Sequence, residues 1–287
     1  MPQNFSTLEP LTCGSVSKQR KVLVTGAAGR IGSYFAEHAQ GKYDLRLMVR
    51  PGDDAAKLAS LGEVVEAELS NLPRLKEVCR GIDTVIHMAA DPSPTAAWDS
   101  VIENNITGHY HMCVAAKAAG CRRLIYASSI HAVSGYAPDV QVKANDPVNP
   151  GDLYGVSKCF GEALCRYMAE QEGLSCIAIR IGAFQPASKA DEDDAIWMMD
   201  HFVSHRDLNQ LLHLCVDDER LRFAVVHGLS DNRFKRLDIS SARDLLGYQP
   251  QDDFTELNDR LAALRLDKVQ AAGAIRDGMK SGLRDDL

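Results

Sequence analysis

The chain has 287 residues, of which 45% are hydrophobic and 25% are charged. This composition is typical of a folded globular protein with a sizeable core, and it excludes a disordered or collagen-like chain. No apolar run approaches the roughly 20 residues that a membrane-spanning helix needs, so we expect no membrane partner. The net charge of −7, without a block of basic residues, also argues against nucleic acid as a partner.

The cysteines and histidines predict no metal site. The eight cysteines are scattered and include no Cys-x-x-Cys pair, which fits neither a zinc site nor a disulfide framework. His109 and His111 are two residues apart on a predicted helix and so point to different sides. The first twenty residues lack the basic start and apolar core of a secretory leader, and this favours a cytoplasmic location.

Short apolar strands and helical stretches alternate as far as Gly182, after a polar and aperiodic arm over residues 1–19. Strands that are apolar on both faces and alternate with helices indicate a parallel sheet covered on both sides. We therefore predict an α/β fold, a doubly wound parallel sheet of the Rossmann type, over residues 20–182. The predicted strands are 22–25, 45–49, 83–90, 123–128 and 175–182, and the predicted helices are 31–39, 72–79, 97–119 and 153–171.

Beyond Gly182 the pattern weakens, and residues 183–287 predict a small substrate-binding lobe with a charged tail. The lobe begins with a loop that carries four consecutive acidic residues, 191–194, which also suit an ordinary solvated loop. Further predicted elements are helices 207–215, 240–246 and 254–265 and strand 222–226. Gly247 is the expected C′ residue of the second of these helices.

A Gly-x-x-Gly-x-x-Gly turn follows the first predicted strand and opens the first helix. Its glycines, Gly26, Gly29 and Gly32, allow backbone N–H groups to approach a pyrophosphate at the helix N-terminus, with Arg30 and Ile31 between them. A tight strand-to-helix turn without a ligand is the alternative. The position of the turn favours dinucleotide binding.

The end of the second strand bears on the choice of dinucleotide. A site for NAD commonly has Asp or Glu there, which binds the ribose 2′-hydroxyl, whereas this strand ends in Arg50. A guanidinium pairs well with a 2′-phosphate, so NADP is favoured and NAD is the alternative. Arg30 is a candidate second phosphate ligand, and a solvated strand-end charge is the other interpretation of Arg50.

Tyr154 and Lys158 are four residues apart on a predicted helix and therefore share one face. An ammonium beside a phenol favours the phenolate, which takes a proton from an alcohol while hydride leaves for nicotinamide. Ser129 ends the strand before this helix, where a hydroxyl stabilises charge on the reacting oxygen; a turn or cap is the alternative role of the Ser128-Ser129 pair.

With these motifs, residues 20–250 resemble the extended short-chain dehydrogenase/reductase superfamily. The resemblance implies a catalytic triad of Ser129, Tyr154 and Lys158. It also implies that the dinucleotide contacts the glycine turn, Glu68-Leu69 beside adenine, Ala89-Ala90 after the fourth strand, and Asn105 on the helix that supports the site. Glu68 stands where aspartate is more usual.

Within the superfamily the chain looks most like the uronate dehydrogenases, which oxidise hexuronic acids at C1. That similarity implies that Ser93 and His131 line the substrate pocket and that Ile181 touches the nicotinamide end; for His131, a hydrogen-bonded loop residue is the alternative. Two positions depart from the uronate pattern, Ile130 in place of Asn and Ala183 in place of Ser. Because residues 184–203 also contain no arginine to hold a carboxylate, the predicted substrate is a sugar or sugar acid left unspecified.

The predicted function is therefore an NAD(P)-dependent oxidoreductase that moves hydride between nicotinamide and a sugar-like CH–OH group. A nucleotide-sugar epimerase that retains NAD is the first alternative, and a non-enzymatic NADP-sensing regulator is the second. Apolar residues on helices 97–119 and 153–171 match the pairing surface of the superfamily, which predicts a homodimer or a higher homo-oligomer.

Overall fold

Seven parallel strands form the central sheet of the protein, which a computed structural model describes over residues 19–264. Two short further strands pair with each other beside it. The strands are β1 (Lys21–Thr25), β2 (Asp44–Val49), β3 (Glu63–Glu66), β4 (Thr84–His87), β5 (Arg123–Ser129), β6 (Ser175–Ile181), β7 (Ala183–Phe184), β8 (Phe202–Val203) and β9 (Phe223–Gly228). The order across the sheet is β3-β2-β1-β4-β5-β6-β9.

Helices cover both faces of this sheet. They are α1 (Arg30–His38), α2 (Leu72–Val78), α3 (Trp98–Ser100), α4 (Gly108–Ala118), α5 (Leu153–Glu170), α6 (His205–Asp217), α7 (Ser240–Leu246) and α8 (Asp259–Ala262). One apolar cluster joins α1, α6 and α7 to the first face, and a second joins α2, α4 and α5 to the other. Because alternate residues of β1 belong to different clusters, the strand is buried on both sides, and the doubly wound fold is confirmed.

The order in which strands are added to the sheet reverses at β1, which pairs with β2 on one side and with β4 on the other. The two crossovers therefore leave a crevice above the carboxyl ends of β1 and β4, where ligands bind in open α/β sheets. The register sets Thr25 beside His87, and Ser129 beside Ile181, at this same edge. Residues far apart in sequence are thus brought to one site.

Two predicted helices differ from the structure, and one strand of the central sheet has no predicted counterpart. Strand β3 was not predicted, because its four residues begin and end with glutamate at the edge of the sheet. The predicted helix 97–119 is helical, but a π-helical segment, Val101–Thr107, separates α3 from α4. The predicted helix 254–265 is divided, since Asn258 ends a 3₁₀ turn and caps α8 with its side chain.

Strand β9 lies beyond the predicted domain boundary at residue 182, yet it extends the central sheet next to β6. The division into a nucleotide domain and a substrate lobe stays a prediction. Gly247 has φ of 71° at the end of α7, as expected for a C′ glycine. Most of the predicted arm, 1–18, and the tail beyond 264 lie outside the described residues. No helix between residues 19 and 264 is both long enough and apolar enough to cross a membrane.

Candidate active site

The glycine turn forms a cradle for an anion. Gly26 has φ of 65°, and a Cβ atom there would lie 3.0 Å from the backbone nitrogen of Ala89. Helix α1 begins after Gly29 with no side-chain cap and no acidic residue in its first turn, so its first N–H groups are open to a negatively charged group. A Cβ at Gly32 would lie 2.5 Å from the Gly26 carbonyl oxygen, which shows how closely helix and turn pack. These residues fit a dinucleotide pyrophosphate.

Thr25 fastens this turn to the end of β4. Its hydroxyl accepts hydrogen bonds of 3.1 Å from the backbone N–H groups of Met88 and Ala89, and it lies 2.9 Å from Nδ1 of His87. The predicted dinucleotide contact Ala89 therefore lies directly against the glycine turn, and Ala90 follows it in the chain; both are partly exposed.

Arg50 directly follows β2, with 80% of its side chain exposed, in an ion pair with Asp53. The Asp53 carboxylate accepts from both the backbone and the guanidinium of Arg50, and these bonds lower its pKa. The Arg30 guanidinium donates to the Gln185 side chain at 3.2 Å. The two predicted phosphate ligands therefore have different partners in this structure.

Leu69 and Asn105 mark the other predicted dinucleotide contacts. Leu69 is buried and Glu68 is exposed, and a Cβ at Gly108 would lie 2.9 Å from the Leu69 side chain. The side-chain amide of Asn105 accepts from the backbone N–H of Asp91 at 2.8 Å and donates to the Asp91 carbonyl at 3.0 Å. It also donates to Ser157 Oγ at 3.1 Å. Asn105 therefore joins the π-helical segment to α5.

Ser129, Tyr154 and Lys158 meet where β5 ends and α5 begins. Burial raises the pKa of Tyr154 to about 12, although a hydrogen bond with Ser129 opposes the rise. Burial also lowers the pKa of Lys158 to about 8. The Lys158 ammonium donates to the Ala127 carbonyl at 2.8 Å and lies 5.3 Å from the centre of the Tyr154 ring. The sequence predicts a depressed pKa for the Tyr154 phenol, whereas in this structure burial is the largest influence and raises that pKa.

A buried carboxylate, Asp152, joins the start of α5 to His131, and sequence reasoning missed it. Its Oδ1 accepts from Gly155 N at 2.7 Å and so caps α5, and its Oδ2 lies 2.6 Å from Nδ1 of His131. The His131 ring is edge-on to Tyr154, 5.4 Å between centres, and 20% of its side chain is exposed. A helix-capping Asp two residues before Tyr154 was the available signal.

The two serines of the pair have different partners. Ser128 Oγ donates to Glu162 at 2.6 Å, and Glu162 also forms a bidentate pair with Arg180, with both distances 2.8 Å. Ser129 is therefore the serine that faces Tyr154. Sequence reasoning missed Glu162, although its place four residues after Lys158 puts it on the face of α5 that carries Tyr154 and Lys158.

Of the predicted pocket residues Ile181, Ala183 and Ser93, the structure places Ile181 directly beside Ser129 in the sheet. Ile181 ends β6 and is buried, and Ala183 is partly buried with its N–H bonded to the His201 carbonyl at 2.8 Å. Ser93 follows β4, where its hydroxyl lies 2.9 Å from that of Thr95.

The acidic run is engaged by neighbouring residues. Asp191 accepts from Asn258, and Glu192 pairs with Lys189, the single lysine of the covering segment 184–203. Arg260 lies 3.7 Å from Asp193 and donates to the Glu192 carbonyl. Within this run, Asp191 and Asp193 thus face α8 and its cap. Among residues 19–264, no group of three or more His, Cys, Asp or Glu side chains is arranged to hold a metal.

A phosphate cradle at the switch point and a serine, tyrosine and lysine beside it define an oxidoreductase that uses a nicotinamide dinucleotide. Residues 22–202 match the model of the NAD dependent epimerase/dehydratase family, more than half of the chain, and the protein belongs to this family. The predicted class, a dehydrogenase of CH–OH groups, is confirmed.

Three similar proteins carry a described activity. The chain is 35% identical to an NAD-dependent glucose-6-phosphate dehydrogenase of Haloferax volcanii, with 82% of this chain and 94% of the relative covered. It is 33% identical to an L-arabinose 1-dehydrogenase (NAD(P)+) of the same organism, with 81% and 97% covered. A solved structure of uronate dehydrogenase from Agrobacterium tumefaciens superposes with a TM-score of 0.74 at 28% identity, with 86% and 90% covered.

Proposed function

We propose that the protein oxidises the anomeric C1 hydroxyl of a cyclic aldose to a lactone and passes the hydride to NAD(P)+. The meeting of Ser129, Tyr154 and Lys158 beside the glycine cradle is the observation that carries this proposal. The similar proteins act on sugars or sugar derivatives, which supports a substrate of this class. A bound nicotinamide supplies the hydride acceptor.

In this proposal Tyr154 removes the proton of the C1 hydroxyl. Ser129 donates to the same oxygen and, by its bond to the phenol, helps to lower the Tyr154 pKa. Lys158 is cationic at neutral pH, because its pKa of about 8 lies above 7, and its charge favours the phenolate. Ile181 packs at the nicotinamide end.

The proposed substrate pocket lies between His131, Ser93 and Ala183. Asp152 accepts from His131 Nδ1, which leaves Nε2 as an acceptor for a sugar hydroxyl. The covering segment 184–203 contributes one lysine, which is paired with Glu192, and no arginine. A neutral aldose is therefore the proposed substrate, ahead of a uronate or an aldose phosphate.

For the cofactor, NADP is the proposed preference and NAD the alternative; the relatives include both an NAD-dependent and an NAD(P)-dependent enzyme. Arg50 must leave Asp53 to bind a 2′-phosphate, and its 80% exposure gives it room to do so. Arg50→Ala should raise the KM for NADP about tenfold and leave that for NAD within twofold. The control is Arg80→Ala, which is exposed on a turn. An equal change with both cofactors would exclude a phosphate contact.

A homodimer is part of the proposal. Ile102 and Tyr110 are exposed on the π-helical segment and α4, and Val156, Phe160 and Tyr167 are exposed on α5, which packs beside them. Contiguous exposed apolar side chains favour association. A monomer in sedimentation equilibrium would contradict this.

A cytoplasmic location is proposed on the sequence alone.

The test is reduction of NAD or NADP by purified protein with a panel of neutral aldoses, aldose phosphates and uronates. Tyr154→Phe is the matched control, since it keeps the ring and removes the base. Turnover of a neutral aldose that this variant lacks is the expected result. Turnover that survives in Tyr154→Phe would overturn the proton-transfer role, and no reduction with any sugar would favour an epimerase that retains its cofactor.

A further inference from the structure

Tyr126 is a buried residue of β5 with an unusual environment. Only 2% of it is exposed, and its phenol oxygen has no hydrogen-bond partner among the described residues. That oxygen lies against Gly161 of α5, where a Cβ atom would be 2.2 Å away. The hydroxyl therefore contributes no bond, so any role of Tyr126 must belong to its ring.

The face of that ring lies beside the Lys158 ammonium. Lys158 Nζ is 5.0 Å from the centre of the Tyr126 ring and 5.3 Å from that of Tyr154, and its one hydrogen bond within the described residues goes to Ala127. A cation within about 6 Å of an aromatic face is attracted by the ring, most strongly where water is excluded. Lys158 is 2% exposed, so this condition is met.

The groups behind the ring carry no positive charge. His109 stacks on Tyr126 with ring centres 4.0 Å apart, and His87 stacks on His109 at 5.2 Å. Burial lowers the pKa of both imidazoles far below neutrality, that of His87 to about 3, so both are neutral. The other titratable neighbours of Lys158 are Tyr154 and the buried thiol of Cys165, both on α5.

We propose that Tyr126 is a positioning residue, whose ring face holds the Lys158 ammonium beneath Tyr154 and keeps it charged. The inference rests on the proposed function, in which Tyr154 is the base. Without the ring, the ammonium loses one of its few stabilising partners in a site from which water is excluded. Lys158 then releases its proton at lower pH, the Tyr154 phenolate loses support, and oxidation needs a higher pH.

The test compares Tyr126→Phe with Tyr126→Leu, using kcat/KM for the aldose between pH 6 and 10 at saturating cofactor. The Phe variant should stay within about twofold of the wild type with the same pH profile. The Leu variant should lose at least tenfold at pH 7, and its half-maximal pH should rise by about one unit. Loss in the Phe variant equal to that in the Leu variant, or an unmoved profile in the Leu variant, would overturn the proposal.

A second series avoids any loss of fold in the Leu variant. Phenylalanine with one, two or three ring fluorines at position 126 weakens the cation attraction while keeping the ring. The Lys158 pKa, followed by NMR of its labelled side chain, should fall stepwise along the series. This measurement needs no turnover, so it separates the inference from the proposed reaction: a constant Lys158 pKa refutes the role of Tyr126 even if the enzyme oxidises a sugar.

Discussion

The buried Lys158 ammonium should lower the free energy of unfolding of the protein at neutral pH, although the proposed reaction needs this residue. Its folded-state pKa is about 8 against an ordinary value of 10.5, because burial disfavours the ammonium. A difference of about 2.5 pH units corresponds to about 3 kcal/mol. Between these two values the unfolded chain binds more protons than the folded one, so stability rises with pH across this window and the penalty is fully present below it.

Lys158→Met should therefore raise the free energy of unfolding by about 2–3 kcal/mol at pH 7, while it abolishes turnover. Methionine has a similar length and leaves no buried charge. The assay is urea unfolding at pH 7 and at pH 10.5, without cofactor. Wild type and variant should differ much less at the higher pH.

The control is Lys76→Met on α2, an exposed lysine whose replacement should change stability by less than about 0.5 kcal/mol at either pH. The reasoning is refuted if Lys158→Met is less stable than wild type at pH 7, or if its advantage does not shrink as the pH rises.

Three further changes test other parts of the site. Asp152→Asn keeps the cap of α5 but reverses the preferred tautomer of His131. The kcat/KM for the sugar should therefore fall at least tenfold, while the free energy of urea unfolding changes by less than about 1 kcal/mol. Unchanged kinetics would contradict a role for the His131 tautomer. Glu162→Gln leaves the Arg180 charge buried and should cost about 3–5 kcal/mol in urea unfolding, and a cost below 1 kcal/mol would contradict the pair. Gly32→Ala places a methyl group 2.5 Å from the Gly26 carbonyl oxygen and should abolish dinucleotide binding in a fluorescence titration. Gly41→Ala, at an exposed turn, meets no atom within 4 Å and carries only the backbone strain of φ 74°, so it should lower stability by about 1–2 kcal/mol but leave binding intact.

The sequence predicts well those features that a local pattern determines. The glycine turn, the Tyr154–Lys158 face and the alternating buried strands follow from spacing, and they identify the fold and the chemistry. Strand β3 could not be predicted, because its place in the sheet depends on pairing with β2 and its own sequence offers only two valines. The sequence analysis also missed Asp152, Glu162 and Tyr126. Their partners, His131, Arg180 and Lys158, are 21, 18 and 32 residues away in the chain.

The interrupted helix 97–119 shows the same limit. The apolar spacing of residues 97–119 is helical throughout. Within them, Asn105 forms hydrogen bonds with both Asp91 and Ser157, and these tertiary contacts accompany the π-helical turn. Sequence periodicity does not report such a local widening.

The anchoring of α5 has a consequence for how the protein can change over evolution. Glu162, Lys158 and Asp152 fix the helix to β5, β6 and the loop after Ser129. The two ends of segment 184–203, Phe184 and Val203, belong to the core of the sheet, whereas its middle packs in a separate apolar cluster with Phe254 and Leu261. Substitutions in the middle of the segment therefore act on a cluster separate from the one that holds α5, so new sugar preferences are open to the protein there with little change to the anchoring of Tyr154 and Lys158.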